Sequence, residues 1–360
     1  MPDPTPTPAA LGFRMPAEWE PHAATWLAWP HQKTDWPGKF GPVRWVYAEI
    51  VRALTRHERV NLVVRGPKML TRVEATLAAA GVDAVRVGYW ELPTDRSWVR
   101  DSGPIVVVNA AGERAVLDWR FNAWAKYTDW TRDDRLPKFV ADQHGLRRWQ
   151  PRVGDWRVVL EGGSIDVDGQ GLLLTTEECL LSETQERNPP LDRAGYERVF
   201  ADFLGVKKVL WLGRGIVGDD THGHVDDLTR FVKPGVVVTV VEDDPADANY
   251  GPTRENLDRL RGMTDLAGRP LTVVPLPMPA PLAFKGTRLP ASYANFYIAN
   301  GVVIVPTFND PADRKALGIL ADLFPDREVV GIHCVDLVWG LGTLHCMTQQ
   351  EPLGSEGVSG

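Results

Sequence analysis

Apolar residues recur three or four positions apart over residues 43–57, 67–80, 194–204, 253–261 and 313–323, the spacing that lines one face of an α-helix. Short β-branched runs lie between these segments, several joined by a tight-turn signal. Asp168-Gly169, Pro234-Gly235 and Asn300-Gly301 each separate two such runs, and Asn109-Ala110-Ala111-Gly112 makes a looser version. Asp-Gly and Asn-Gly favour hairpins because both central turn residues need positive φ. The turn glycines Gly112, Gly169, Gly235 and Gly301 are 57, 66 and 66 residues apart. This spacing predicts a repeated strand, hairpin and helix module in a chain long enough for five copies. An α+β domain with accidental hairpin spacing is the plainer alternative.

The polar residues that interrupt this pattern occupy one slot, just ahead of each hairpin. They are Trp98-Val99-Arg100-Asp101, Glu161-Gly162-Gly163, His222-Gly223-His224-Val225-Asp226, Ser292-Tyr293-Ala294-Asn295 and His345-Cys346. From Asp101 to Glu161, His224, Asn295 and Cys346 the successive intervals are 60, 63, 71 and 51 residues. If the modules surround a pseudo-symmetry axis, these side chains converge on it.

Composition narrows the chemistry. A net charge of −7 supplies no basic surface for nucleic acid or an anionic membrane and suits a cationic small substrate. Apolar runs such as 236–241 fall far short of the roughly 20 residues of a membrane span, and the first residues lack the pattern of a secretory signal. The expectation is a cytoplasmic enzyme, with residues 1–10 and 354–360 as loose tails around one domain at 11–353. Three cysteines, Cys179, Cys334 and Cys346, are too few for a disulfide framework.

The convergent set holds a thiol, an imidazole and the carboxylates Asp101, Glu161 and Asp226. An ionised thiol attacks electron-poor carbon, and histidine moves protons to a leaving group and from water. Carboxylates around a thiol raise its pKa unless the substrate brings positive charge. A planar guanidinium does so, pairing with carboxylates in bidentate fashion.

Each element has a plainer reading. Arg100 and Asp101 form a surface ion pair, the glycines after Glu161 mark a bulge that leaves it solvated, and Cys346 is a small buried hydrophobe. His222, His224 and Asp226, on one face of a strand, also suit a metal-dependent hydrolase, the alternative from another class. A binding module without catalysis is the third reading.

Read together, these motifs resemble the agmatine deiminase family, relatives of bacterial peptidylarginine deiminases in the guanidino-group-modifying superfamily. The resemblance runs from Met15-Pro16-Ala17-Glu18-Trp19-Glu20-Pro21-His22 to His345-Cys346-Met347-Thr348-Gln349-Gln350-Glu351-Pro352. Between them lie Trp98 to Pro104, Gly218 to Asp226 and Ala291 to Tyr297. The resemblance implies an α/β fold, a five-bladed pseudo-symmetric α/β propeller of the pentein type. It also implies Cys346 as nucleophile, His224 as acid/base and Asp101 and Asp226 on the guanidinium. Trp98 and Glu161 would line the pocket, with Asn295 in the fourth slot.

The implied reaction turns agmatine into N-carbamoylputrescine and ammonia, a step toward putrescine, with no metal or organic cofactor. Peptidylarginine or another alkylguanidine is the alternative substrate. The expected partner is a small cationic guanidinium compound, not nucleic acid or membrane, with a homodimer left open.

Two departures bear on substrate. Gly340-Leu341-Gly342-Thr343-Leu344 precedes His345 where the family usually has a glycine run and Asn-Ile. Ala125-Lys126-Tyr127 follows Trp124 where the family usually has two glycines. Lys126 is read either as repelling an amine or as facing solvent, and residues 274–290 as a proline-rich loop near the site.

Overall fold

The structure, a computed structural model, describes residues 6–354. The five periodic segments form the helices Phe40–Thr55, Pro67–Ala79, Arg193–Leu204, Tyr250–Arg261 and Pro311–Leu323. Two of them, Arg193–Leu204 and Pro311–Leu323, begin where a local cap dictates rather than where the apolar spacing starts. Asp192 accepts from the backbone N–H of Gly195, Asp310 and Asp313 form a capping box, and Pro67 and Pro311 occupy first-turn positions that need no N–H partner. A sixth helix, Leu136–His144, lies in a stretch with too few apolar positions to signal it.

Four hairpins form at the turn glycines, whose φ values of +76°, +70°, +71° and +74° suit glycine at Gly112, Gly169, Gly235 and Gly301. They pair Ile105–Val108 with Arg114–Leu117, Asp166–Val167 with Leu172–Thr176, Thr229–Lys233 with Val236–Val241, and Tyr297–Ala299 with Val302–Thr307. Each second strand then pairs in parallel with a third: Arg147–Trp149, Lys208–Leu212, Thr272–Pro277 and Glu328–His333. A parallel neighbour requires a crossover, and one of the helices supplies it each time.

The fifth sheet has the same plan with no local turn. Gln349–Pro352, near the end of the chain, pairs antiparallel with His22–Ala28 near its start, and Val60–Val64 and Val87–Glu91 follow in parallel. The molecule is thus an α/β fold of five mixed sheets, and among the described residues no sheet closes on itself.

Two expectations change. Residues 274–290 are not one loop, because Thr272–Pro277 is a strand. It is an edge strand, where Pro275 and Pro277 cost no ladder bond. The remainder carries a small hairpin, Ala283–Phe284 with Thr287–Arg288. Residues 222–226 are not a strand either. His222 and Gly223 turn the chain at φ +66° and +92°, and Val225–Asp227 forms a 3-10 turn. Within the expected tails, residues 1–5 and 355–360 lie outside the described part, and Ala9–Leu11 forms a 3-10 turn. Among the described residues no helix is long and apolar enough to cross a membrane.

Candidate active site

One helical turn stands ahead of the first strand in four of the sheets: Val99–Ser102, Gly162–Ser164, Val225–Asp227 and Leu344–Met347. In the remaining sheet the segment ending at Asn295 takes that position ahead of Tyr297–Ala299. The turns meet closely enough to demand glycine. A Cβ on Gly162 would lie 2.3 Å from the carbonyl oxygen of Arg100, and one on Gly163 would lie 2.6 Å from His224 Nδ1 and 2.8 Å from Asp101 Oδ1. The two glycines therefore mark close approach and do not leave Glu161 solvated, since Glu161 is fully buried.

Cys346 is not sealed among aliphatic side chains. Asn295 Nδ2 donates to its sulfur at 3.2 Å, Asp226 Oδ2 lies 3.7 Å from the same sulfur, and the residue lines a cavity of about 440 Å³. Asn295 Oδ1 accepts from Thr343 Oγ1 at 2.8 Å and from the backbone N–H of His345 at 3.1 Å, which fixes the amide orientation.

His224 is buried among three carboxylates. Its Nδ1 is 3.8 Å from Asp101 and 3.9 Å from Asp226, and its Nε2 is 3.7 Å from Glu161. Asp219 Oδ2 fixes the turn by accepting from the backbone N–H groups of Gly223 and His224, both at 2.8 Å.

The carboxylates are held differently. Asp101 accepts from Trp124 Nε1 at 2.9 Å and from the Gly163 N–H at 3.0 Å. Glu161 is paired with the buried Arg187 at 3.1 Å. Asp226 Oδ2 lies 2.7 Å from His345 Nδ1, whose other ring nitrogen lies 2.7 Å from Glu18 Oε2. Trp98 lines the cavity and stacks on Trp36, its indole N–H donating to Asp35 at 3.2 Å.

These surroundings set the protonation states. Burial, reinforced by Asp226, Asp227 and Asp101, pushes the Cys346 thiol well above its usual range. Burial also lifts Asp101 to about 6 against the opposing pull of His224. For Glu161 burial acts upward too, but the Arg187 guanidinium and His224 overcome it and hold the carboxyl at about 2. Burial opposes the charged form of His224, yet Asp101, Cys179 and Glu161 raise its pKa well above the ordinary imidazole value. The cavity thus presents a protonated thiol and the Asp101 carboxyl, with Asp226 buried against the sulfur, a set of acceptors that suits a flat cation.

Several placements differ from the sequence reading. Arg100 does not form a surface pair with Asp101. It is buried and reaches Glu18 at 3.1 Å and Gln350 at 2.7 Å. The His222, His224 and Asp226 metal cluster is not assembled, because the turn sends His222 to Ser182 Oγ at 3.1 Å. Among the described residues, the groups of three or more whose ligating atoms come within 4.8 Å of one another are Glu161, Cys179, His224 and Asp226, Asp227, Cys346. Glu18, Trp124, Asp219 and Arg187 were absent from the sequence-based site. Glu18 and Trp124 lie in segments whose resemblance to the family is evident, whereas Arg187 carries no local signal.

Residues 14–352 match the Porphyromonas-type peptidyl-arginine deiminase family. The chain is 39% identical to the agmatine deiminase of Pseudomonas aeruginosa (strain LESB58), over 98% of this chain and 99% of that protein. It is 40% identical to the agmatine deiminase of Pseudomonas fluorescens (strain SBW25), over 96% of this chain and 97% of that one. Among solved structures, the agmatine deiminase of Enterococcus faecalis superposes with a TM-score of 0.90 at 36% identity, covering 97% of this chain and 98% of that one. An agmatine deiminase of C. jejuni with substrate bound gives 0.84 at 27% identity, covering 95% and 97%. With this extent of match in sequence and in three dimensions, the chain belongs to the Porphyromonas-type peptidyl-arginine deiminase family.

Proposed function

We propose that this protein is a hydrolytic deiminase that converts agmatine and water to N-carbamoylputrescine and ammonia. The reading carries over what the similar proteins are named for. The observation that carries it here is that Cys346 and Asp101 line one cavity while the buried Asp226 and His224 lie directly against them, Asp226 3.7 Å from the sulfur and His224 3.8 Å from Asp101. We place the five sheets as blades about a central axis within a single catalytic domain. Their shared strand order and the common position of the polar turns support that arrangement.

Asp101 and Asp226 grip the guanidinium through its N–H groups, and its positive charge favours the Cys346 thiolate. The sulfur then bonds to the guanidinium carbon. His224 delivers a proton to one terminal nitrogen, and the carbon–nitrogen bond breaks to release ammonia. The product of this step is an amidino thioether on Cys346. His224 next takes a proton from water as its oxygen bonds to the same carbon, and the carbon–sulfur bond breaks to leave the ureido product and restore the thiol. Asn295 positions the sulfur through its amide N–H. Water is the sole co-substrate in this balance.

Ammonia release from agmatine, free arginine and an arginine-containing peptide, assayed side by side, tests the reading. Agmatine is expected to be turned over fastest. Faster release from the peptide would reassign the substrate, and release from none of the three would overturn the deiminase reading.

A further inference from the structure

Three carboxylates line the cavity, and they are not equivalent. Asp101 stands at the chemical end beside His224. Asp35 has a side chain only 2% exposed, and its two oxygens are taken by Arg96 and by the Trp98 indole. Asp220 is the accessible one, with 19% of its side chain exposed. One of its oxygens accepts from Tyr127 OH at 2.7 Å, and the other is paired with Lys126 Nζ.

The backbone that brings Lys126 there is unusual. Ala123, Trp124 and Ala125 are three consecutive non-glycine residues at φ +50°, +58° and +52°, a region that side chains disfavour. Asn122 Oδ1 holds the turn by accepting from the Ala125 N–H at 2.9 Å. The resulting strap touches both ends of the cavity. Trp124 donates to Asp101 at the inner end, and Lys126 and Tyr127 grip Asp220 at the outer one. Gln185 Nε2 ties the strap to the Asp220 segment, donating to the carbonyls of Trp124 and Asp220 at 3.1 Å each. The backbone on both sides of the ion pair is therefore fixed. The movable part is the Lys126 side chain, 40% exposed on a flexible stem.

We propose that Asp220 is the acceptor for the distal ammonium of the substrate. Lys126 is its resident competitor, a chain-borne ammonium that occupies Asp220 in the free protein and yields it when an amine-tailed guanidine binds. This rests on the deiminase reading and adds how the cavity grades the tails of its substrates. Exchanging one alkylammonium for another on the same carboxylate leaves the number of ion pairs unchanged. The tail ammonium of agmatine is therefore favoured only weakly while Lys126 is present. A guanidine with an uncharged tail has no need of Asp220 and leaves the pair intact.

The test is the steady-state kinetics of ammonia release from agmatine and from n-butylguanidine, which has the same four-carbon chain without the amine. Wild type is compared with Lys126→Met and Asp220→Asn. Lys126→Met should lower the KM for agmatine about two- to fivefold, the range that an exposed ion pair supports. The change should fall on KM and not on kcat, and the KM for butylguanidine should not follow it. Asp220→Asn should raise the agmatine KM and narrow the difference between the two substrates. A merely structural role would move both substrates in parallel, and that result, or a higher agmatine KM in Lys126→Met, overturns the proposal. The exposed Lys126→Met substitution decides the matter even where Asp220→Asn fails to fold. Release of ammonia from neither substrate by wild type would bring down the deiminase reading and this proposal together. Turnover of both with parallel shifts would bring down this proposal alone.

Discussion

Two buried charge clusters lie on either side of Asp226, and they are built on opposite principles. Behind Cys346, Glu18 accepts from Arg100 at 3.1 Å, from Arg230 at 2.9 Å and from the Ile298 N–H at 2.8 Å, and its Oε2 lies 2.7 Å from a ring nitrogen of His345. Burial works against the Glu18 carboxylate, but Arg230, His345 and Arg100 hold its pKa well below the usual range. On the other side, next to the cavity-lining Asp101, both ring nitrogens of His224, Glu161 Oε2 and Asp226 Oδ1 are buried with no hydrogen-bond partner, and Asp101 is lifted to about 6 by burial. Asp226 belongs to both clusters, with Oδ2 on His345 and Oδ1 unpartnered. The satisfied Glu18 carboxylate fixes structure, whereas unpartnered groups next to a cavity are destabilised in a way that a ligand of complementary shape and charge can relieve. On the deiminase reading, the contrast locates the guanidinium and accounts for a thiol that stays protonated without it.

The strongest way to break this contrast is at the sulfur. Cys346→Ala should lower kcat by at least about a thousandfold, because a nucleophile's loss is not shared out among its neighbours. Agmatine binding measured by calorimetry should persist in that variant, since the carboxylates remain. Retained turnover would remove Cys346 from the mechanism, and lost binding would move the recognition site elsewhere.

Stability separates the clusters next. Glu18→Gln removes the countercharge of two buried guanidinium groups and should cost about 3–5 kcal/mol in denaturant unfolding. Asp101→Asn should cost much less at neutral pH. A carboxyl whose folded pKa is raised is ionised against the preference of the fold, so neutralising it removes an unfavourable charge. Equal losses in the two variants would erase the distinction between the satisfied and the unsatisfied cluster.

What the sequence disclosed follows the same division between local and distant causes. Hairpins at Gly169, Gly235 and Gly301 are written in adjacent residues, because positive φ is a local demand. The polar slot was legible because it recurs at similar intervals, and the structure brings Asp101, Glu161, His224, Asn295 and Cys346 together through Asp226, with Cys346 ahead of a strand that has no hairpin. The fifth sheet was not legible, since Gln349–Pro352 finds His22–Ala28 across nearly the whole chain with no turn to announce it.

The Glu18 cluster was hidden in the same way. Arg100 and Asp101 invited pairing because they are neighbours, but consecutive residues on a helical turn point to different sides. One reaches Glu18 and the other Trp124. Metal-like spacing at His222 and His224 misled because alternation assumes a strand, and positive φ at His222 and Gly223 breaks it.

The effect smaller than those at Cys346 and Glu18 is also the one that reads the charge of Asp101 most directly. Asp101 has a pKa of about 6 in the free protein, first because it is buried and despite His224 nearby. Below that pH it is neutral and one of its oxygens becomes a hydroxyl, so it no longer offers a guanidinium two anionic acceptors. The guanidinium itself stays protonated far above neutrality, so the substrate does not titrate in this range. Agmatine affinity should therefore rise with pH up to about 6 and level off above it, falling about tenfold per unit on the acid side. Measuring binding in Cys346→Ala removes the thiol as a second titrating group. Agmatine cannot bind an ionised Asp101 preferentially without lowering its pKa, so each complex formed near pH 6 should also release a fraction of a proton, visible as a dependence of the binding heat on buffer ionisation enthalpy. A flat affinity from about one pH unit below that value to one above it, with no buffer dependence, would mean that Asp101 is not what receives the cation and would shift that role to Asp226 alone.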